Sequence, residues 1–219
     1  MEEGCLTADE IVNVLMSSGI NDVEKTTEFL LDYLRDRDDQ KEDVELQTKL
    51  LEINLKSMPE IAVAIMDCEE YKFTHYDRNY IAKLCESLGL FEKAMLNYDH
   101  EKLVDIQRVL RMGLAANTVT IDGLLRLFKD LSSENAFLCL RDLLQHQEGT
   151  FNVQAVVKVA IRYEEKLRSK KLIDLFEEFK CWVGLYLYLG NIVNHTKDSD
   201  IIYKYIFAAV EVGQYSQIE

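Results

Sequence analysis

Proline is almost missing from this sequence. One residue in 219, Pro59, is proline, and glycine is held to nine positions. The chain therefore has few of the residues that interrupt helices or set tight β-turns. No run of apolar residues reaches the roughly 18 to 20 needed to cross a bilayer, and the longest near-apolar stretch, Cys181 to Leu189, falls far short. The start, Met1 to Gly4, has neither the basic region nor the apolar segment of a secretory signal, so no membrane insertion is expected. Positive charge is in deficit as well. Twenty-five Lys and Arg against 39 Asp and Glu give a formal charge of −14, a field that repels polyphosphate and anionic headgroups. Nucleic acid is not an expected partner.

Motifs that carry chemistry are also missing. There is no HExxH, no CxxC and no glycine-rich phosphate loop. His75, His100, His146 and His195 are widely separated, and none follows a Glu by three positions, as the di-metal motif of helical bundles requires. The paired carboxylates Glu69-Glu70, Glu164-Glu165 and Glu177-Glu178 occupy adjacent positions, which on a helix point about 100 degrees apart and cannot share a proton. They read as solvated helix faces. Cys5, Cys68, Cys85, Cys139 and Cys181 are odd in number, far apart and set in apolar helical patterns, so they read as reduced core thiols of a cytosolic protein. On that reading the sequon Asn194-His195-Thr196 carries no meaning. The expectation is a non-enzyme with no catalytic residue, no cofactor and no metal site.

What is present is helical period throughout. Apolar residues recur three and four apart in Leu46, Leu50 and Ile53, in Ile81, Leu84, Cys85 and Leu88, in Leu124, Phe128 and Leu131, and in Ile201, Tyr205, Ala208 and Val212. Helix starts are read at Thr7 with Glu10, Asn21 with Glu24, Ser57 with Glu60 and Thr74 with Asp77, each an acceptor followed three residues later by an acid. Pro59 fits a first turn. Helix ends are read at Gly19, Gly89, Gly113, Gly149, Gly190 and Gly213. About a dozen short helices with short connections predict an all-α protein, an α-solenoid of stacked antiparallel helical hairpins. A compact bundle is the competing architecture. The whole of residues 1–219 reads as a single solenoid segment, with a possible flexible joint in the charge-dense tract 36–43. The steps Gly89-Leu90-Phe91 and Gly213-Gln214-Tyr215 suggest a glycine and an aromatic wedge between repeats.

Two surface features have alternative readings. The basic cluster Arg162, Lys166, Arg168, Lys170 and Lys171 is either a site for a phosphoinositide or acidic partner, or a set of cations favoured at a helix C-terminus. Trp182, Tyr186 and Tyr188, with Gly184 among them, form either an aromatic peptide groove or a buried helix whose glycine admits a close neighbour. No interface side chain is singled out.

Several words of the sequence resemble the clathrin heavy-chain family, in the leg beyond its N-terminal propeller. They are Leu50-Leu51-Glu52-Ile53-Asn54-Leu55, Phe73-Thr74-His75-Tyr76-Asp77-Arg78, Ile81-Ala82-Lys83-Leu84-Cys85-Glu86, Cys139-Leu140-Arg141-Asp142-Leu143-Leu144 and the long Leu172-Ile173-Asp174-Leu175-Phe176-Glu177-Glu178-Phe179-Lys180. The resemblance covers roughly Val44 to Glu219. It implies an elongated, slightly curved rod of helical hairpins, a fragment of a longer chain, whose function in coated pits and vesicles on the cytoplasmic side is mechanical. It further implies other heavy-chain legs of the coat lattice as partners, with the light-chain, adaptor-binding and trimerisation regions outside this segment. The last hairpin, Ile201 to Val212, is then expected to expose a seam, with Tyr215 and Ile218 as an apolar pair beyond it. Two other classes fit the same repeat: a subunit of a vesicle-tethering complex, and a regulatory solenoid that grips peptides.

Overall fold

The computed structural model describes residues 7–17, 22–35, 44–68, 73–145 and 150–214, and among them every regular element is a helix. The tract 36–43, the terminal Tyr215 and Ile218, and Cys5, Gly19, Asn21, Glu69, Glu70, His146 and Gly149 lie outside the described residues. Two units can be separated, one over residues 1–99 and the other over 100–219.

In the first unit, α1 (Ala8–Ser17), α2 (Val23–Arg35), α3 (Val44–Ser57), α4 (Pro59–Asp67), α5 (Arg78–Ser87) and α6 (Phe91–Asn97) follow in order. Each packs on the next within the pairs α1–α2, α2–α3, α3–α4 and α5–α6, and α3 also meets α5. The second unit contains α7 (Leu103–Ala115), α8 (Ile121–Asp130), α9 (Ser133–Gln145), α10 (Thr150–Arg162), α11 (Glu164–Leu167), α12 (Ser169–Glu178), α13 (Trp182–Gly190) and α14 (Ser199–Glu211). There α7 packs on α9, α8 on α10, α10 on α13 and α13 on α14. Packing partners stay within a few elements of one another in the chain, which is how a stack of hairpins is built and a closed bundle is not. The expected all-α helical repeat is the fold observed.

The local reasons are visible at the helix starts. At α1, Glu10 N donates to Thr7 Oγ1 at 3.3 Å and Thr7 N donates back to the Glu10 carboxylate at 2.8 Å, a reciprocal box. The backbone hydrogen bond from Thr7 holds the Glu10 carboxyl below its ordinary range. Two starts differ from the sequence reading. Ser57 is the last residue of α3, and Met58 alone joins α3 to α4, so Pro59 opens α4 with no side-chain cap before it. Met58 N still donates to Asn54 O at 2.6 Å, which extends the α3 ladder through the place a cap would need. Thr74 is likewise no cap. Asp77, read as its acid partner, is itself the cap and accepts from Tyr80 N at 2.9 Å.

Four helix ends share a single device. The backbone enters the left-handed region at Gly89 (φ 75°), Asn117 (φ 54°), Lys180 (φ 50°) and Gly213 (φ 75°).

 In each case the next residue's N–H reaches five residues back: Leu90 to Cys85 O, Thr118 to Gly113 O, Cys181 to Phe176 O and Gln214 to Ala209 O, at 2.9 to 3.0 Å. This closes the last turn by satisfying carbonyls that the helix leaves open. Gly113 is not a helix end as the sequence suggested. It is buried inside α7, and Asn117 makes the turn. Gly190 ends α13 without left-handed backbone.

Candidate interaction surfaces

The predicted apolar rows supply the core of each unit. Leu50, Ile81, Leu110, Leu124, Leu140 and Leu172 are fully buried, each contributing about 1.5–3 kcal/mol. Cys85, Cys139 and Cys181 are buried and unpaired, and Cys68 is half-buried and also unpaired. Burial pushes the Cys85 thiol up to about 11 and the Cys139 thiol up to about 12, values at which neither is a nucleophile near neutral pH.

No cluster of three or more potential metal ligands occurs among the described residues. The carboxylate pair Glu177-Glu178 divides between two cations on two different helices. Glu177 pairs with Lys204 of α14, and Glu178 with Arg141 of α9, where Arg141 Nη1 donates to Glu178 Oε2 at 2.9 Å. Adjacent acids therefore tie α12 to the helices on either side of it.

The basic cluster is also divided by the fold. Lys166 Nζ donates to Phe128 O at 2.9 Å and Lys129 O at 3.2 Å, carbonyls at the end of α8. Loss of water there lowers the Lys166 pKa. That is a cation on a helix C-terminus. Lys171 lies over the Phe137 ring at 5.6 Å, and Arg168 is a left-handed residue between α11 and α12. The hollow beside Arg162 is shared with Glu164 and Glu165, which oppose an anionic ligand.

The aromatic helix α13 is packed as the buried alternative describes. A Cβ added at Gly184 would stand 2.7 Å from Phe176 Cε1 and 2.9 Å from Cys181 Sγ. Tyr188 is fully buried, its ring 5.8 Å from that of Phe176, and burial pushes its hydroxyl up to about 12. On the other side, Trp182 meets Phe207 edge to face at 5.3 Å and Tyr186 stacks on Tyr205 at 5.4 Å. The aromatic residues thus join α12, α13 and α14.

Among the described residues of the second unit are two further open grooves. One, between α9 and α12, has Phe137, Leu138 and Leu175 on its floor and the Arg141–Glu178 pair across it. The other, between α13 and α14, is lined by Leu187, Ile202, Tyr205 and Ile206. The sequence did not single out either, because each is assembled from residues on separate helices.

Residues 6–148 match a family model described as "Region in Clathrin and VPS". The chain is 40% identical over 214 residues to the probable clathrin heavy chain of Schizosaccharomyces pombe, covering 98% of this chain and 12% of that protein. It is 38% identical over 218 residues to the clathrin heavy chain of Drosophila melanogaster, covering 100% and 12%. Against clathrin heavy chain 2 of Homo sapiens the identity is 37% over 218 residues, covering 100% and 13%. The chain therefore spans about one eighth of the length of the relatives it matches.

Proposed function

We propose, from the premise that this chain belongs to the clathrin heavy-chain repeat family, that it is a scaffold segment of a heavy-chain leg and contributes to the lattice of a vesicle coat. The observation that carries this reading is the similarity over the whole chain, joined to a fold whose polar side chains connect helix to helix. Glu177 and Glu178 tie α12 to α14 and α9, and Lys166 ties α11 to the end of α8. Such ties suit a part that transmits force along successive repeats. On this reading residues 1–219 form one solenoid segment of a longer protein, its partners are other heavy-chain legs, and its place is the cytoplasmic face of coated pits and vesicles. No helix among the described residues is long and apolar enough to cross a membrane.

A second reading, a helical-repeat subunit of a vesicle-tethering complex, is favoured by the family description, which includes VPS proteins. Isolation of coated vesicles from cells carrying a tagged copy of the protein separates the two. The tag is expected to sediment with coats and to leave the membrane when the coats disassemble. A tag absent from coats and recovered with a tethering complex would refute the coat reading.

A further inference from the structure

The contacts between α9 and α12 ascend together, Phe137 with Lys171 and Arg141 with Glu178, so the two helices run side by side in the same direction. One step earlier in this row the space between neighbours is bridged. There α7 packs on α9, Gln107 Nε2 donates to Leu138 O at 3.4 Å, and Arg111 pairs with Asp142 at 3.6 Å. Between α9 and α12 a hollow of about 560 Å³ stays open instead, with both walls in one unit. The helices α13 and α14 follow within that unit, and no residue of either lines the hollow.

The floor of the groove is apolar and its rim is charged. Leu138 is 40% exposed, beside half-buried Phe137 and buried Leu175. Both rim cations are engaged by the walls themselves: Arg141 holds Glu178 and lies over the Phe179 ring at 5.6 Å, and Lys171 lies over Phe137. The remaining carboxylates are not matched in this way. Glu134, in the first turn of α9, and Asp174, on the facing wall, form no salt bridge among the described residues. Asp174 acts on Lys204 only at longer range, and Lys204 is held by Glu177. Two exposed carboxylates on opposite walls thus flank an apolar floor without a cation of their own.

We propose that this groove binds an extended segment of a partner protein in which an apolar side chain is flanked by Lys or Arg. The apolar side chain covers Leu138 and Leu175, and the long flanking side chains lay their stems along the walls and bring their charges to Glu134 and Asp174. Charge complementarity selects this occupant. The two unmatched groups of the rim are acidic, and the formal charge of −14 on the chain attracts a basic segment and repels an acidic one. Helical rise makes the wall from Ser133 to Arg141 about 12 Å long, which accommodates about three or four extended residues. So short a contact is far below the roughly 800 Å² per partner of a stable complex, and binding is correspondingly weak. The proposal goes beyond the coat reading and does not depend on it, because the groove is complete within one unit.

Fluorescence anisotropy of a labelled peptide of alternating leucine and lysine, titrated with the full 219-residue chain, tests this. The expected Kd is about 0.1 mM at low salt, rising as salt screens the rim. The same peptide with glutamate in place of lysine is expected to bind at least about tenfold more weakly. Glu134→Lys combined with Asp174→Lys is expected to weaken binding by about tenfold, and Leu138→Asn by about threefold. These side chains are exposed, so the fold should survive, and the neutral pair Glu134→Gln with Asp174→Asn, expected to weaken binding by about threefold, keeps the test open should the reversals unfold the chain. Asp122→Lys with Glu211→Lys makes the same change in net charge outside the groove and is expected to leave Kd within about twofold. Absence of binding below about 1 mM overturns the proposal. So does equal binding of the glutamate peptide, binding that survives the changes at Glu134 and Asp174, or an equal loss from the pair outside the groove. None of these outcomes touches the coat reading, which is tested by recovery with coats.

Discussion

Gly184→Ala examines how tightly α13 is seated. The added methyl would lie 2.7 and 2.9 Å from Phe176 ring carbons and 2.9 Å from Cys181 Sγ, closer than carbon and sulfur can approach without movement. Phe176 cannot swing into solvent, since it is fully buried and packed against Tyr188. Overpacking of this kind costs about 1–3 kcal/mol. Replacing glycine by alanine in a helix returns up to about 1 kcal/mol. The expected net effect is a loss of about 1–2 kcal/mol, or a fall in melting temperature of about 2–8 °C. Urea unfolding followed by fluorescence measures it locally, because Trp182 is the sole tryptophan and lies two residues from the substitution. Phe176→Leu combined with Gly184→Ala is expected to cost less than the two changes added separately, the coupling expected of side chains in contact. A Gly184→Ala protein as stable as wild type, or more so, would show that the Phe176 ring has room and that the close approach is not a constraint.

Three further outcomes follow from named groups. Lys180→Gly is expected to raise stability by about 1 kcal/mol, since lysine holds a left-handed φ that glycine adopts without strain, and a melting curve that does not rise would refute this. Glu52 is held below the ordinary carboxylate range chiefly by its hydrogen bond with Lys56, so its contribution is present above pH 4.5 and is lost as pH falls through the lowered folded value. Glu52→Gln should therefore cost about 0.3–1 kcal/mol at pH 7 and nothing measurable once both proteins are fully acid-titrated, a convergence that denaturation across pH would detect. Thiol labelling of the native chain at pH 8 should spare buried Cys85, Cys139 and Cys181, whereas unfolding exposes them, and rapid native labelling of Cys139 would contradict its burial.

Much of the fold was legible because apolar spacing survives without any knowledge of partners. Leu124, Phe128 and Leu131 were read as one face, and all three are buried. Helix boundaries were harder to read. The rule of an acceptor followed by an acid holds at Thr7, but Ser57 and Glu60 satisfy it only by standing on opposite sides of the Met58 junction. Gly89 and Gly213 were recognised as ends, while Asn117 and Lys180 were not. Asparagine is a known occupant of left-handed backbone and could have been found, but lysine carries no such signal. The step Lys180-Cys181-Trp182 repeats the pattern of Gly89-Leu90-Phe91 with lysine in the glycine's place.

The basic cluster shows what spacing along the chain leaves out. Arg162, Lys166, Arg168, Lys170 and Lys171 form one group in the sequence, but Lys166 is directed to the carbonyls of Phe128 and Lys129, nearly forty residues away. Proximity along a chain of stacked hairpins locates a residue within its own repeat, whereas its function depends on the repeat alongside, and that neighbour is supplied only by the fold.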